Sequence, residues 1–84
     1  MDSFENIAIK NAEKYKKQFS NEGFATSEIE KLNYAYSLEI KDNSRKIKLL
    51  IYFSKKGIKP VIQGDRNELY NKVYTIVFGD KFLS

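Results

Sequence analysis

Residues 46–63 read KIKLLIYFSKKGIKPVIQ, and that run leaves little choice of local structure. Side chains alternate between the two faces of a strand. Ile47, Leu49, Ile51 and Phe53 therefore share one face, which is wholly apolar and has to meet a core. Lys46, Lys48, Leu50 and Tyr52 share the other, a mixture of two lysines, a leucine and a tyrosine that offers a working surface. Ser54-Lys55-Lys56-Gly57 is a tight turn into a second strand over 58–63. There Ile58, Pro60 and Ile62 alternate with Lys59, Val61 and Gln63. Proline cannot donate a ladder hydrogen bond, so that strand is expected at a sheet edge or to carry a bulge.

A third strand is read over 34–41. Tyr34, Tyr36, Leu38 and Ile40 alternate with Ala35, Ser37, Glu39 and Lys41, and the first set is assigned to the core face. Lys41-Asp42-Asn43-Ser44-Arg45 has the polar composition of a turn between antiparallel strands. Residues 24–33 are ambiguous. They admit a short helical turn over 28–31, capped by Thr26 or Ser27. Glu28 and Glu30 are two apart, so they diverge on a helix and align on a strand. A two-carboxylate metal or acid–base site also needs further ligands close by, and the sequence supplies none.

Helical periodicity appears at both ends. Phe4, Ala8, Ala12, Tyr15 and Phe19 recur at three- and four-residue steps, with Ile7 beside them. Asp2 and Glu5 have capping-box spacing, as do Ser3 and Asn6 more weakly, and Gly23 is a left-handed stop. Lys10, Glu13, Lys14 and Lys17 form the solvated face. Asp65 and Glu68 repeat the capping-box spacing and predict a second helix starting at Asp65. Its apolar face is Leu69, Val73, Ile76 and Val77, with Tyr70 and Tyr74 one turn apart beside it and Gly79 at its end. In the tail, Phe82 and Leu83 are expected to fold back on the core.

With 84 residues, the chain has length for a single domain over 1–84. The order of elements predicts an α+β fold. It is a two-layer helix, three-stranded antiparallel meander and helix, with both helices on one face of the sheet. The other face stays open, lined by Lys46, Lys48, Leu50, Tyr52, Lys59, Val61 and Gln63. The twelve tyrosines and phenylalanines suit so small a core, because each buries a large area.

Charge is unevenly spread. Between residues 41 and 60 stand seven basic residues and one acid, a local +6, so the chain's total of +4 leaves −2 for the rest. Such asymmetry suits an anionic partner, although lysines also guard sheet edges against aggregation. The sequence holds no cysteine and no histidine. That excludes disulfides and thiolate metal sites and removes the commonest general base and zinc ligand. Ser54–Gly57 lacks the glycine pattern of a phosphate loop, and no spacing sets a nucleophile beside a base. The expectation is a non-enzyme with no cofactor and no metal. The first residues carry acids and no long apolar run, so neither a signal peptide nor a membrane span is read, and the cytoplasm is the expected compartment.

Two families share features with the chain. The element order resembles a double-stranded-RNA-binding domain, but here the second helix opens with Gly64-Asp65-Arg66-Asn67-Glu68 and lacks that family's Ser-Lys-Lys cluster. The run Tyr52-Phe53-Ser54-Lys55-Lys56-Gly57-Ile58-Lys59-Pro60-Val61-Ile62-Gln63-Gly64 resembles the N-terminal, TATA-binding-protein-like domain of bacterial ribonuclease HIII. The resemblance implies a sheet that faces an RNA/DNA hybrid, without the catalytic domain.

Two functions fit. In the first, the open sheet face binds nucleic acid (RNA, DNA or a hybrid) through Arg45, Lys46, Lys48, Tyr52, Lys55, Lys56, Lys59 and Gln63, lysines on phosphates and Tyr52 on a base or sugar. In the second, the same residues dock on an acidic protein surface, as a small phage-type inhibitor or adaptor does.

Overall fold

Eighteen residues at the start form helix α1 (Phe4–Asn21) in the computed structural model, which describes residues 3–79. The Ser3 hydroxyl caps it, accepting the Asn6 amide at 3.2 Å. Of the two spacings read at this end, the Ser3–Asn6 one is therefore seen to cap, and Asp2 lies outside the described residues. Gly23, at φ 92°, supplies the left-handed turn after the helix. Ala8, Ala12 and Phe19 are buried, and the two small alanines let the helix lie close on the sheet. Phe4 does not join them. It remains 41% exposed, and Ile9 packs against the core instead.

The sheet is larger than the meander read from sequence. Besides β3 (Ala35–Lys41), β4 (Lys46–Ser54) and β5 (Gly57–Gln63), it holds β1 (Ala25–Thr26) and β2 (Glu30–Lys31), both paired antiparallel to β3. The register explains why two short strands lie along one edge. Thr26 stands opposite Ile40 and Glu30 opposite Ser37, so residues 27–29 face only Leu38 and Glu39. One extra residue is a β-bulge, and β1 and β2 are the halves of one bulged strand. Ser27 holds the bulge. Its amide donates to the Glu39 carbonyl at 3.0 Å, and its hydroxyl accepts the Glu39 amide at 2.9 Å. The helical turn admitted over 28–31 does not form, because these backbone groups have partners on β3. Bulging breaks the two-residue alternation, which hides the strand from a reading of the sequence.

β3, β4 and β5 then follow as the meander, in register Leu38–Leu49–Ile62 and Tyr36–Ile51–Pro60. β5 is the terminal strand of the sheet, as Pro60 requires. Asp42 shapes the β3–β4 turn, its Oδ1 accepting the amides of Ser44 at 3.3 Å and Arg45 at 2.9 Å.

Helix α2 (Glu68–Phe78) begins three residues later than the start expected at Asp65. Its cap is Asn67, whose Oδ1 accepts the Tyr70 amide at 3.0 Å. Asparagine caps as well as aspartate, and Asn67 adopts the extended backbone a cap needs. Gly79 ends the helix at φ 66°, as expected; Phe82 and Leu83 lie outside the described residues. Leu69 and Val73 are buried with Ala8, Ala12 and Phe19 against Leu38, Ile40, Ile47, Leu49 and Ile51, so both helices cover the same sheet face. The Tyr15 hydroxyl donates to the Val77 carbonyl at 3.3 Å and ties the helices together. The molecule is a two-layer α+β fold with one face of its sheet uncovered.

Candidate functional site

The strand registers lay out the uncovered face in rows. Leu32, Ala35, Tyr52 and Lys59 form the row nearest the β4–β5 turn. Glu30, Ser37, Leu50 and Val61 follow. Then come Glu39, Lys48 and Gln63, and last Lys41 with Lys46. The middle of the face is dry. Ala35, Ser37 and Leu50 are buried, with Leu50 only 4% exposed, although strand parity alone places Leu50 on the open lining. Leu50 stands between Ser37 and Val61, with Lys48 and Tyr52 on either side along β4, and these neighbours cover it.

This dry centre divides the eight residues singled out by sequence into two groups. Lys46 and Tyr52, six residues apart on β4, lie about 20 Å from each other along the strand. At the first end, the positive charge is largely answered. Arg45 is held by Asp42, with Nη2 at 2.7 Å and Nε at 3.0 Å from Oδ2. The Arg45 side chain, by its hydrogen bond, pulls the Asp42 carboxyl below its ordinary range. Lys46 pairs with Glu39 at 3.5 Å. Lys48 shares a hollow of about 310 Å³ with Glu30 and Glu39, so acids stand beside this lysine too, while Glu28 at the rim of the hollow turns to Lys16 at 3.7 Å. Gln63 is exposed opposite Lys48.

The second end is different. Ser54 pairs with Gly57, so Lys55 and Lys56 form a two-residue turn at the tip of the hairpin. The Ser54 hydroxyl accepts the Lys56 amide at 3.1 Å, and Gly57 takes φ 145°, which a side chain would oppose. Lys55, Lys56 and Lys59 are exposed, and none has an ion-pair partner among the described residues. Tyr52 is paired across the strands with Lys59 and is 40% exposed.

Tyr34 belongs to this group, and sequence reasoning misses it. Strand alternation assigns it to the core, yet it is 72% exposed. The Leu32 amide donates to the Ala35 carbonyl at 2.8 Å, which makes Asn33 and Tyr34 the central residues of a turn. Tyr34 therefore sits in the turn just before β3 rather than within the strand. Its carbonyl still accepts the Phe53 amide at 2.9 Å, fixing it beside β4. The signal available in the sequence is the turn-favouring Asn33 just before it. Tyr34, Tyr52, Phe53, Lys56, Ile58 and Lys59 line one groove of about 460 Å³. Leu32, Tyr34 and Tyr52 are three of the four large apolar residues exposed among those described. Their gathering at one end of the sheet makes an aromatic patch rimmed by unpaired lysines.

Among the described residues, no group of three acidic side chains could hold a metal ion, and no helix is long and apolar enough to cross a membrane. No protein-family model, curated protein or solved structure matches this chain.

Proposed function

We propose that this protein is a small non-catalytic nucleic-acid-binding module, working in the cytoplasm through the hairpin end of its uncovered sheet face. The observation that carries this reading is the contrast between the two ends of that face. Among the described residues Lys55, Lys56 and Lys59 stand exposed and without an ion-pair partner around Tyr34 and Tyr52, whereas Arg45 and Lys46 already have acidic partners. An anion approaching Lys46 or Arg45 has to displace a carboxylate; one approaching the hairpin does not. Lysines that neutralise phosphates release condensed counterions, which drives binding without reading sequence. No arginine is poised for bidentate contact with a base edge, so recognition is of backbone and shape. The likeness of residues 52–64 to the hybrid-facing module of ribonuclease HIII points the same way.

The test is a fluorescence-anisotropy titration with RNA, DNA and an RNA/DNA hybrid at two salt concentrations. Binding should weaken with salt and disappear when Lys55, Lys56 and Lys59 are replaced by Glu. No affinity for any of the three at low salt and micromolar protein would overturn the reading. The face would then be that of a module docking on an acidic protein surface.

A further inference from the structure

We infer that the nucleic acid this face accepts is single-stranded, with unpaired bases stacking on Tyr34 and Tyr52. The inference rests on the proposed function and narrows it. Tyr34 and Tyr52 line the same groove and are 72% and 40% exposed. Neither has a close ring partner among the described residues, so their faces are available. Both are anchored by backbone pairing rather than carried on a free loop. Tyr52 lies within β4 between Ala35 and Lys59, and Tyr34 is tied to Phe53. An aromatic ring fixed in place loses little freedom when a base settles on it.

A duplex has no use for such rings. Its bases are stacked inside, and it presents phosphates and sugars, which lysines alone can satisfy. Single strands expose base faces, and stacking is tolerant of sequence because every base has one. Lys56 and Lys59 line the groove and Lys55 stands at the adjoining turn, so phosphates of a strand crossing the sheet end meet positive charge. The acids beside Lys48 limit the footprint, since a backbone running the full length of the face would meet Glu30 and Glu39. A short segment of a few nucleotides at the hairpin end is what the charge pattern accepts.

The experiment compares a fluorescein-labelled 15-nucleotide single strand, as DNA and as RNA, with the duplex of the same DNA sequence. Wild-type protein should bind the single strands at least tenfold more tightly than the duplex. Replacing Tyr52 or Tyr34 with Leu should weaken single-strand binding roughly 5- to 150-fold, and leave duplex binding unchanged. The tyrosine variants should keep the salt slope of the wild type. The variant with Lys55, Lys56 and Lys59 changed to Gln should flatten it by about 2, at about 0.7 for each phosphate no longer neutralised. Circular-dichroism melting of each variant confirms that it is folded. If duplex and single strand bind equally and the leucine variants behave as wild type, the stacking inference is overturned while the proposed function stands. If none of the probes binds, both fall.

Discussion

Tyr34 and Tyr36 are two residues apart on one nominal face, yet one is 72% exposed and the other 9%. Tyr36 is held beneath α1, where its hydroxyl donates to Glu5 Oε2 at 3.1 Å and its ring lies 5.7 Å from Phe53. Tyr34 has left the sheet for the turn. Replacing Tyr34 with Ala should therefore change stability by no more than about 0.5 kcal/mol, as surface substitutions do. Replacing Tyr36 with Ala should cost about 3–5 kcal/mol, as large-to-small changes of a buried aromatic do. Urea unfolding of the two variants measures the difference directly. Gly64 makes a second point at this scale. It adopts φ 147°, and a Cβ there would collide with the side chain of buried Ile47. Gly64→Ala combines backbone strain with overpacking and should destabilise the fold by roughly 1–3 kcal/mol, read from the urea midpoint.

Caps and the bulge decide where elements begin and how they join. Asn67→Ala removes the α2 cap and should cost roughly 0.5–2 kcal/mol, while Asp65→Ala should cost less than half as much. Equal losses in thermal unfolding would return the helix start to Asp65. Ser27→Ala strips the acceptor from the part-buried Glu39 amide and should destabilise by about 1–3 kcal/mol, read from the urea midpoint. The bulged edge is also fastened to α1. Lys31 lies 2.8 Å from Glu5, and its hydrogen bond, followed by that of Tyr36, lowers the Glu5 carboxyl below its ordinary range. A carboxyl that gives up its proton more readily when folded contributes stability at neutral pH. That contribution is complete above the unfolded carboxyl's range and is lost as pH falls through the lowered folded value. Asp42, lowered by Arg45, acts with the same sign. Melting temperature should therefore fall on acidification below about pH 5, within the ordinary carboxylate range. Glu5→Gln should show a shallower fall, from a lower neutral value.

At the scale of the whole molecule, stability and the proposed binding occupy different parts of one sheet, the core beneath the helices and the groove at the hairpin end. Leu49 and Ile51 lie fully beneath the helices, and Leu49→Ala should cost roughly 2–5 kcal/mol. Among the described residues Lys55, Lys56 and Lys59 have no ion-pair partner, and all three are exposed, so their charge reversal should leave melting within a degree or two of the wild type. If the triple variant melted as low as Leu49→Ala, the hairpin would be part of the framework and not a free surface.

Periodicity alone determined the two helices, the three long strands, their parity and the edge position of β5. Each follows from local repeats of 3.6 or 2 residues and from the missing amide of Pro60. The alternating apolar run 47–53 assigns Ile47, Leu49 and Ile51 to the core without any knowledge of what covers them. Three matters were decided only by tertiary structure. The bulged strand over 25–31 exists because β3 offers it an edge, and its extra residue erases the alternation by which strands are read. Tyr34 is exposed because the chain turns at Asn33 and Tyr34 before β3 begins, which parity cannot express. The basic residues divide into paired and unpaired groups because Asp42 and Glu39 fold against Arg45 and Lys46, while among the described residues no acid pairs with the lysines of the hairpin tip. Charge along a chain is additive, but charge on a surface depends on which neighbours folding brings within ion-pair distance.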